Sequence, residues 1–348
     1  MTVYVILLIS AYLCSYCRDK SVFHIFIFLF MFLILAFRDI SVGTDTMAYL
    51  DMVSGWNYEI DFSLDSVGRE MEVLWSFFVK YISFLGYSAR WIIIIPAFLN
   101  TFFVYWAYRR FKVRIGLAIF FYILLTFYFL SFNITRQCLA MSIVLFGSSF
   151  LVYGKKWVFF FCVILAVFIH FSAIFSVSFY LVYKIDIKEK IMYMCLVLSL
   201  VVGIVGVNLS PLEINAYASH ADNMGMVEEA SINRLLLRIS MTFFAVYFVY
   251  KERTKTSFLL KMFFISICVS NISTSLHHVI SRMSFYLIIF QPVCYSDFFK
   301  KKTMSGIQYV DRNIIFYLLV LSLLIYWVHY LNINSGEIVP YKLSEHFL

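Results

Sequence analysis

The strongest constraint in this chain is a succession of apolar blocks, most of them about as long as a membrane crossing. They fall at about 2–17, 21–37, 72–87, 91–108, 115–132, 137–153, 157–183, 190–208, 234–250, 258–275, 283–299 and 313–330. A bilayer core takes ~20 apolar helical residues per crossing, and lipid leaves a backbone no partner but itself, so such blocks are helical. No long polar stretch remains for a soluble domain. Of 348 residues, 63% are apolar and 14% charged. Soluble proteins are nearer half and a quarter, which excludes an ordinary cytosolic protein. The sequence predicts an all-α, polytopic integral membrane protein forming one membrane domain over residues 1–348.

The net charge of +8 does not indicate nucleic acid, because Lys and Arg lie in short clusters between apolar blocks. Arg109 to Arg114, Lys155-Lys156, Lys251 to Lys261 and Lys300 to Lys302 mark cytoplasmic loops. The mixed or acidic connections 38–71 and 209–231 are expected outside. Parity then tests the blocks. Three blocks separate the cytoplasmic loops at 154–156 and 251–261, where an even number is required. Splitting 157–183 at His170-Phe171-Ser172 into two short arms that meet on the outer side restores it.

Likewise 72–87 carries Glu72, Ser76, Lys80, Ser83 and Tyr87 at helical spacing, a polar stripe unsuited to lipid. It is expected to be an interfacial or re-entrant helix on the outer side. The result is about twelve crossings with both termini outside. Lacking a basic n-region and a small-residue cleavage site, the first block is expected to remain as a span. Cys14 and Cys17 form a C-x-x-C inside it with no second pair, so a structural role is expected. Twelve Gly and four Pro argue weakly against a transporter built on many Gly/Pro-broken helices.

Charges at membrane depth are costly, and their placement is informative. Arg38, Asp39 and Asp45, then Arg136, His170, His277 and His278, and Arg282 all fall at the outer ends of spans. Five segments would thus converge on one outward-facing cavity. In Phe37 to Tyr49, Gly43 permits a tight turn and Thr44 or Asp45 caps a following helix; the alternative is that Asp45 is only a cap and Arg38 only snorkels. Arg136 opens a span at its N-terminal end with Asn133 and Gln137 beside it, a setting suited to phosphate or pyrophosphate. Interface anchoring is the bland alternative. His170 is either a helix-helix hydrogen-bonding residue or, when neutral, a general base. Arg282 adds a second cation at a helix start, which makes a diphosphate clamp more plausible. Tyr49, Trp56 and Tyr58 lie in the same outer region, as flat rings for a ligand to stack on or as interface anchors. No metal set is apparent, since adjacent His277 and His278 diverge by about 100° on a helix.

Taken in order, Arg38-x-x-x-Val42-Gly43-Thr44-Asp45-x-x-x-Tyr49, Asn133-x-x-Arg136-Gln137-x-x-Ala140, His170-Phe171-Ser172-Ala173 and Arg282-x-x-x-Tyr286 resemble the EpsG/Wzy group of bacterial polysaccharide polymerases, including O-antigen polymerases. The resemblance runs from about 37 to 290, and the Val339-Pro340-Tyr341 tail fits it. It implies a GT-C-like architecture in the bacterial inner membrane, with an active site facing the periplasm. The implied reaction is metal-independent, cofactor-free glycosyl transfer from undecaprenyl pyrophosphate onto a lipid-linked repeat unit. Arg136, His170 and Asp45 would be catalytic. Arg38, Arg282, Asn133, Gln137, Tyr49 and His278 would bind pyrophosphate or glycan. The implied partners are the undecaprenyl-pyrophosphate-linked oligosaccharide, a chain-length regulator and a flippase.

Three other classes compete. An O-antigen ligase would carry a similar outward Arg/His site and differ in product. A flippase for lipid-linked oligosaccharide should line a two-sided cavity with charge, whereas these residues gather at one face. A sugar O-acetyltransferase should keep acyl-donor residues near the cytoplasm.

Overall fold

The computed structural model describes residues 1–17, 21–54, 72–209, 229–251, 257–273, 278–300, 307–334 and 336–344. Of the described residues, 81% are helical and none forms a strand. In order, the helices are α1 Thr2–Cys14, α2 Ser21–Ala36, α3 Thr46–Ser54, α4 Val73–Phe84 and α5 Trp91–Arg110. Then come α6 Ile115–Leu124, α7 Phe127–Leu130, α8 Thr135–Leu151, α9 Lys156–Ile169, a 3₁₀ segment Phe171–Val177 and α10 Ser178–Lys184. The rest are α11 Glu189–Leu209, α12 Glu229–Lys251, α13 Phe258–Ser273, α14 His278–Ile288, α15 Gln291–Lys300 and α16 Ile307–Ile333.

The exterior is apolar. Trp157, Phe161, Ile164 and Phe168 recur along α9, and Met194, Val197, Leu198 and Val201 along α11, all exposed. Exposed apolar ridges at helical spacing are unfavourable in water and stable against lipid. The chain is a helical membrane protein. Among the described residues, Trp91–Arg110 and Arg312–Ile333 are long and apolar enough to cross unaided. At the centre, α6 and α8 are buried on almost every side.

Hydrogen bonds between distant residues define two poles. At one, Tyr4 Oη donates to Ile338 O at 2.8 Å, Tyr341 Oη to Ile34 O at 3.0 Å, and Arg90 Nη1 to Arg38 O at 3.1 Å. At the other, Arg110 Nε donates to Ser149 Oγ at 3.2 Å, Tyr153 Oη to Arg110 O at 2.7 Å, and Lys300 Nζ to Lys112 O. Arg38, Arg90 and Arg136 therefore lie together, opposite the pole of Arg110, Lys112 and Lys300.

The chain reverses at His170. That residue is extended (φ −154°, ψ 113°) and ends α9, and the Tyr180 ring of α10 lies 5.3 Å from Phe160 near the start of α9. In one continuous helix those residues would be about 30 Å apart at 1.5 Å per residue. The two-armed reading of 157–183 is thus the observed geometry.

Other expectations need correction. The block 115–132 is not one helix: α6 stops after ten residues and Thr126, in the left-handed region (φ 65°), separates it from α7. The block 283–299 is interrupted at Ile289-Phe290 between α14 and α15. The second break has a visible cause, because Pro292 in the first turn of α15 has no N–H to donate to Ile288 O and cannot continue α14; the break at Thr126 contains neither Gly nor Pro. Along α4, Ser76 and Lys80 are buried at 2% exposure while Val73, Leu74, Tyr81 and Phe84 are exposed. The middle of its polar stripe faces protein, whereas Glu72 and Ser83 are half-buried and Tyr87 is exposed. At twelve residues, about 18 Å, α4 is nonetheless shorter than a bilayer core.

Candidate functional site

The segment after α2 is held by the chain's C-terminal stretch. Asp39 N–H donates to Lys342 O at 2.9 Å, Ser344 N–H to Phe37 O at 3.0 Å, and Gly43 N–H to Glu337 O at 2.9 Å. Gly43 has φ +95°, and a Cβ there would sit 2.7 Å from Phe132 O, so only glycine fits. This turn lays α3 against the start of α8.

Four of the expected binding residues are committed to that assembly. Arg38 is 1% exposed, and its guanidinium donates to Leu35 O (2.6 Å), Thr46 Oγ1 (3.0 Å) and Phe132 O (3.2 Å). It fastens α2, α3 and the approach to α8, and does not present itself to a ligand. Asn133 accepts Thr44 N–H at 2.9 Å and donates to Gly336 O at 3.2 Å, clamping three segments. Gln137, 2% exposed, donates through Nε2 to Arg282 O at 2.7 Å. Tyr49 is buried with its ring edge-on to Trp75 at 5.8 Å, so it is no open stacking platform. Its hydroxyl accepts the Arg136 N–H at a long 3.5 Å. These residues hold the geometry in place.

What they position is a three-member cluster centred on Glu72, which motif reading overlooked. Arg136 Nη1 donates to Glu72 Oε2 at 2.9 Å; His170 Nδ1 and the Phe171 N–H reach Glu72 Oε1 at 2.9 and 3.0 Å. Each contact has a local cause. Arg136 is the second residue of α8. Phe171 opens the 3₁₀ segment after the chain reversal, so its N–H lacks an intrahelical partner and an anion satisfies it. Glu72 immediately precedes α4, outside the regular hydrogen-bond ladder.

Burial by itself would raise the Glu72 carboxyl. The His170 bond, the Phe171 amide and the Arg136 charge outweigh it and hold the group down at about 2. Glu72 is therefore a carboxylate, and His170 Nδ1 is the donor towards it. In a neutral imidazole this arrangement leaves the lone pair on Nε2. The Arg136 and His170 side chains are each 25% exposed and Glu72 18%, so the cluster reaches the surface. Arg136 spends one of five N–H donors on Glu72, and the Nε/Nη2 edge makes no hydrogen bond among the described residues.

Arg282 lies close by. Gln137 binds its carbonyl, and one turn further along α14 the Tyr286 hydroxyl accepts from Ser172 at 3.3 Å, two residues past His170. The Arg282 side chain is exposed, but it is the fifth residue of α14 rather than its start. Asp45 precedes α3, half-buried, and accepts the Thr44 hydroxyl at 2.9 Å. The side chain of His278, together with His277, Trp56, Tyr58 and most of the two expected external loops, lies outside the described residues.

These observations define a class: a helical membrane protein with a carboxylate-oriented histidine beside a partly uncommitted guanidinium at one pole. The family follows from sequence comparison. Residues 21–343, nearly the whole chain, match the EpsG family model, and the chain belongs to the EpsG family. Membership carries a polysaccharide-polymerase type of function, glycosyltransferase-like in general terms. No curated protein and no solved structure matches the chain.

Proposed function

We propose that this protein lengthens a lipid-linked polysaccharide at the outer face of the bacterial inner membrane. A growing glycan leaves undecaprenyl pyrophosphate and joins the non-reducing end of a fresh carrier-linked repeat unit. The observation that carries this reading is the bridge formed by Glu72 between Arg136 and His170. It supplies a base with a set tautomer and a cation with an open edge within one cluster.

The chemistry balances without a further reagent. The acceptor hydroxyl oxygen bonds the anomeric carbon as that carbon's bond to the pyrophosphate oxygen breaks. The proton passes to His170 Nε2, and the bonding pair leaves on pyrophosphate. Arg136, through Nε and Nη2, and Arg282 neutralise that developing charge; such preorganised charge is strongest where water is excluded. Because the glycosyl-pyrophosphate bond is already activated, these cations suffice and no metal is invoked. Asp45, near the Tyr49–Arg136 contact, orients a sugar hydroxyl. Arg38, Asn133, Gln137 and Tyr49 act as positioning residues.

The accompanying topology has twelve crossings in a GT-C-like arrangement, with α3 and α4 lying on the outer side and both termini outside. The pole of Arg110, Lys112 and Lys300 faces the cytoplasm, as the charge rule requires. A chain-length regulator and a flippase are the proposed membrane partners. Gene deletion followed by gel analysis of lipopolysaccharide tests the reading. Core plus a single repeat, with the ladder lost, supports a polymerase; core alone overturns it in favour of a ligase or flippase.

A further inference from the structure

The helix breaks at Thr126 and at Ile289-Phe290 open onto one cavity, which the transfer chemistry leaves unused. Of about 250 Å³, it lies among α7, α12, α13, α14 and α16. Leu125 and Thr126 of the first break line it, as do Ile288 and Gln291 on either side of the second. Non-helical backbone at membrane depth is tolerated where it lines such a cavity rather than lipid. Thr126 follows the ten residues of α6, which places it about 15 Å from the Lys112 pole. Tyr330, also in the lining, stacks on Phe129 at 6.0 Å, and Phe129 packs on Tyr4 at the opposite pole. The cavity therefore occupies the half of the protein nearer the Glu72 cluster.

Four lining side chains keep a polar atom that makes no hydrogen bond among the described residues. They are the hydroxyls of Thr126, Ser270 and Tyr330, and Oε1 of Gln291, whose Nε2 is engaged by Ser266. Thr126 is 5% exposed and Gln291 2%, so both are inside the protein. Thr126 is moreover a β-branched residue at φ 65°, a region such side chains avoid. Arg238, the single charged residue of the described lining, donates to Asn271 O at 3.3 Å. Phe127, Phe285 and the Tyr330 ring supply aromatic walls. Neutral hydroxyl and amide groups beside aromatic faces suit a ligand with hydroxyls at its edge and C–H groups on its faces, which is a sugar ring. An isoprenoid or acyl chain would leave the four polar groups unpaired in an apolar medium, at a cost. Pockets for drug-sized ligands begin at about 300 Å³, so this one takes a single ring rather than an oligosaccharide.

We infer that this cavity receives one sugar ring of the lipid-linked glycan beside the reaction centre. Helix α14 joins the two places: Phe285 and Ile288 line the cavity, and Tyr286 between them meets Ser172, two residues past His170. The inference rests on the polymerase reading for its ligand. It is tested by titration calorimetry on the full-length protein in neutral detergent. The probe is the lipid-free repeat-unit oligosaccharide cut from the host's own polysaccharide. The wild type should bind it saturably. Thr126→Val and Tyr330→Phe each delete one hydroxyl at nearly constant shape and should weaken binding by about two- to tenfold. Ser270→Phe, which fills the cavity, should abolish it. Should that variant fail to fold, the two hydroxyl deletions still decide the matter. Undiminished binding by Thr126→Val and Tyr330→Phe overturns the assignment, as does a wild type that binds no oligosaccharide. Gel analysis of the deletion strain judges the polymerase reading separately, since it involves none of these variants.

Discussion

Replacing Glu72 by Gln is the most discriminating perturbation, because it keeps shape and removes one charge. The carboxylate accepts three hydrogen bonds: Arg136 on Oε2, and His170 with the Phe171 amide on Oε1. A glutamine has one acceptor oxygen and one NH₂. If its oxygen replaces Oε1, the NH₂ confronts the Arg136 guanidinium, donor against donor. If the oxygen faces Arg136, the NH₂ confronts the Phe171 N–H and forces His170 Nδ1 to accept. The proton then resides on Nε2, where a base is needed. Each charge-assisted hydrogen bond lost is worth about 1.5–3 kcal/mol, or about ten- to 150-fold. A carboxylate-to-amide change that leaves a catalytic histidine in the wrong tautomer lowers turnover by up to about 10⁴. We therefore expect Glu72→Gln to reduce polymerisation by about 10²–10⁴, and Glu72→Asp, which keeps the charge but shortens the reach, to retain more. Ladder length in a deletion strain complemented at matched protein level reads the effect, followed by turnover of purified protein. A wild-type ladder from Glu72→Gln would refute the reasoning, since no acceptor arrangement of glutamine satisfies all three donors.

Three further outcomes follow from the same geometry. Arg136→Ala should cut turnover by about two to three orders of magnitude with the protein still folded, and Arg136→Lys should restore it only in part, measured by single-turnover kinetics. If lysine substitutes fully, Arg136 is an anchor and leaves the mechanism. Gly43→Ala, at φ +95° with Phe132 O only 2.7 Å from the new carbon, should destabilise by about 1–3 kcal/mol in thermal melts, and an unchanged melt contradicts the turn described. Because the Glu72 carboxyl is lowered from its ordinary 4.5 to about 2, the unfolded chain takes up its proton first on acidification. The stabilisation it provides is complete above about pH 4.5 and fades as pH falls towards about 2. The melting difference between wild type and Glu72→Gln should shrink over that window, and a difference growing towards acid would reverse the assignment.

Much of the architecture is legible in the sequence because bilayer physics leaves few options. Block length and Lys/Arg placement demanded a reversal at His170, and the chain turns there. The motif segments around Arg136, His170 and Arg282 do gather at one pole. Their roles within it were harder to read. Arg38 and Asn133 stand in motifs as prominent as that of Arg136, yet their hydrogen bonds go to backbone groups across the fold. A sequence motif does not separate a residue that meets substrate from one that holds the residue that does. Glu72 was missed for a different reason. Read along its own helix it continues a stripe with Ser76 and Lys80, whereas its partners Arg136 and His170 lie 64 and 98 positions away. A usable signal existed: a carboxylate at the start of an apolar helix, in a chain whose motifs also hold an Arg and a His at helix ends. The break at Thr126 has no Gly or Pro to announce it, whereas Pro292 marks the one at Ile289-Phe290.

The most direct test of the central claim uses purified protein in vesicles supplied with one synthetic undecaprenyl-pyrophosphate-linked repeat unit. Products are followed by mass spectrometry. The account predicts a series of lipid-linked oligomers of that unit, with one undecaprenyl pyrophosphate released per new linkage, and loss of the series in His170→Asn. Repeat units left unjoined by the wild-type protein, or an undiminished series from His170→Asn, would contradict it.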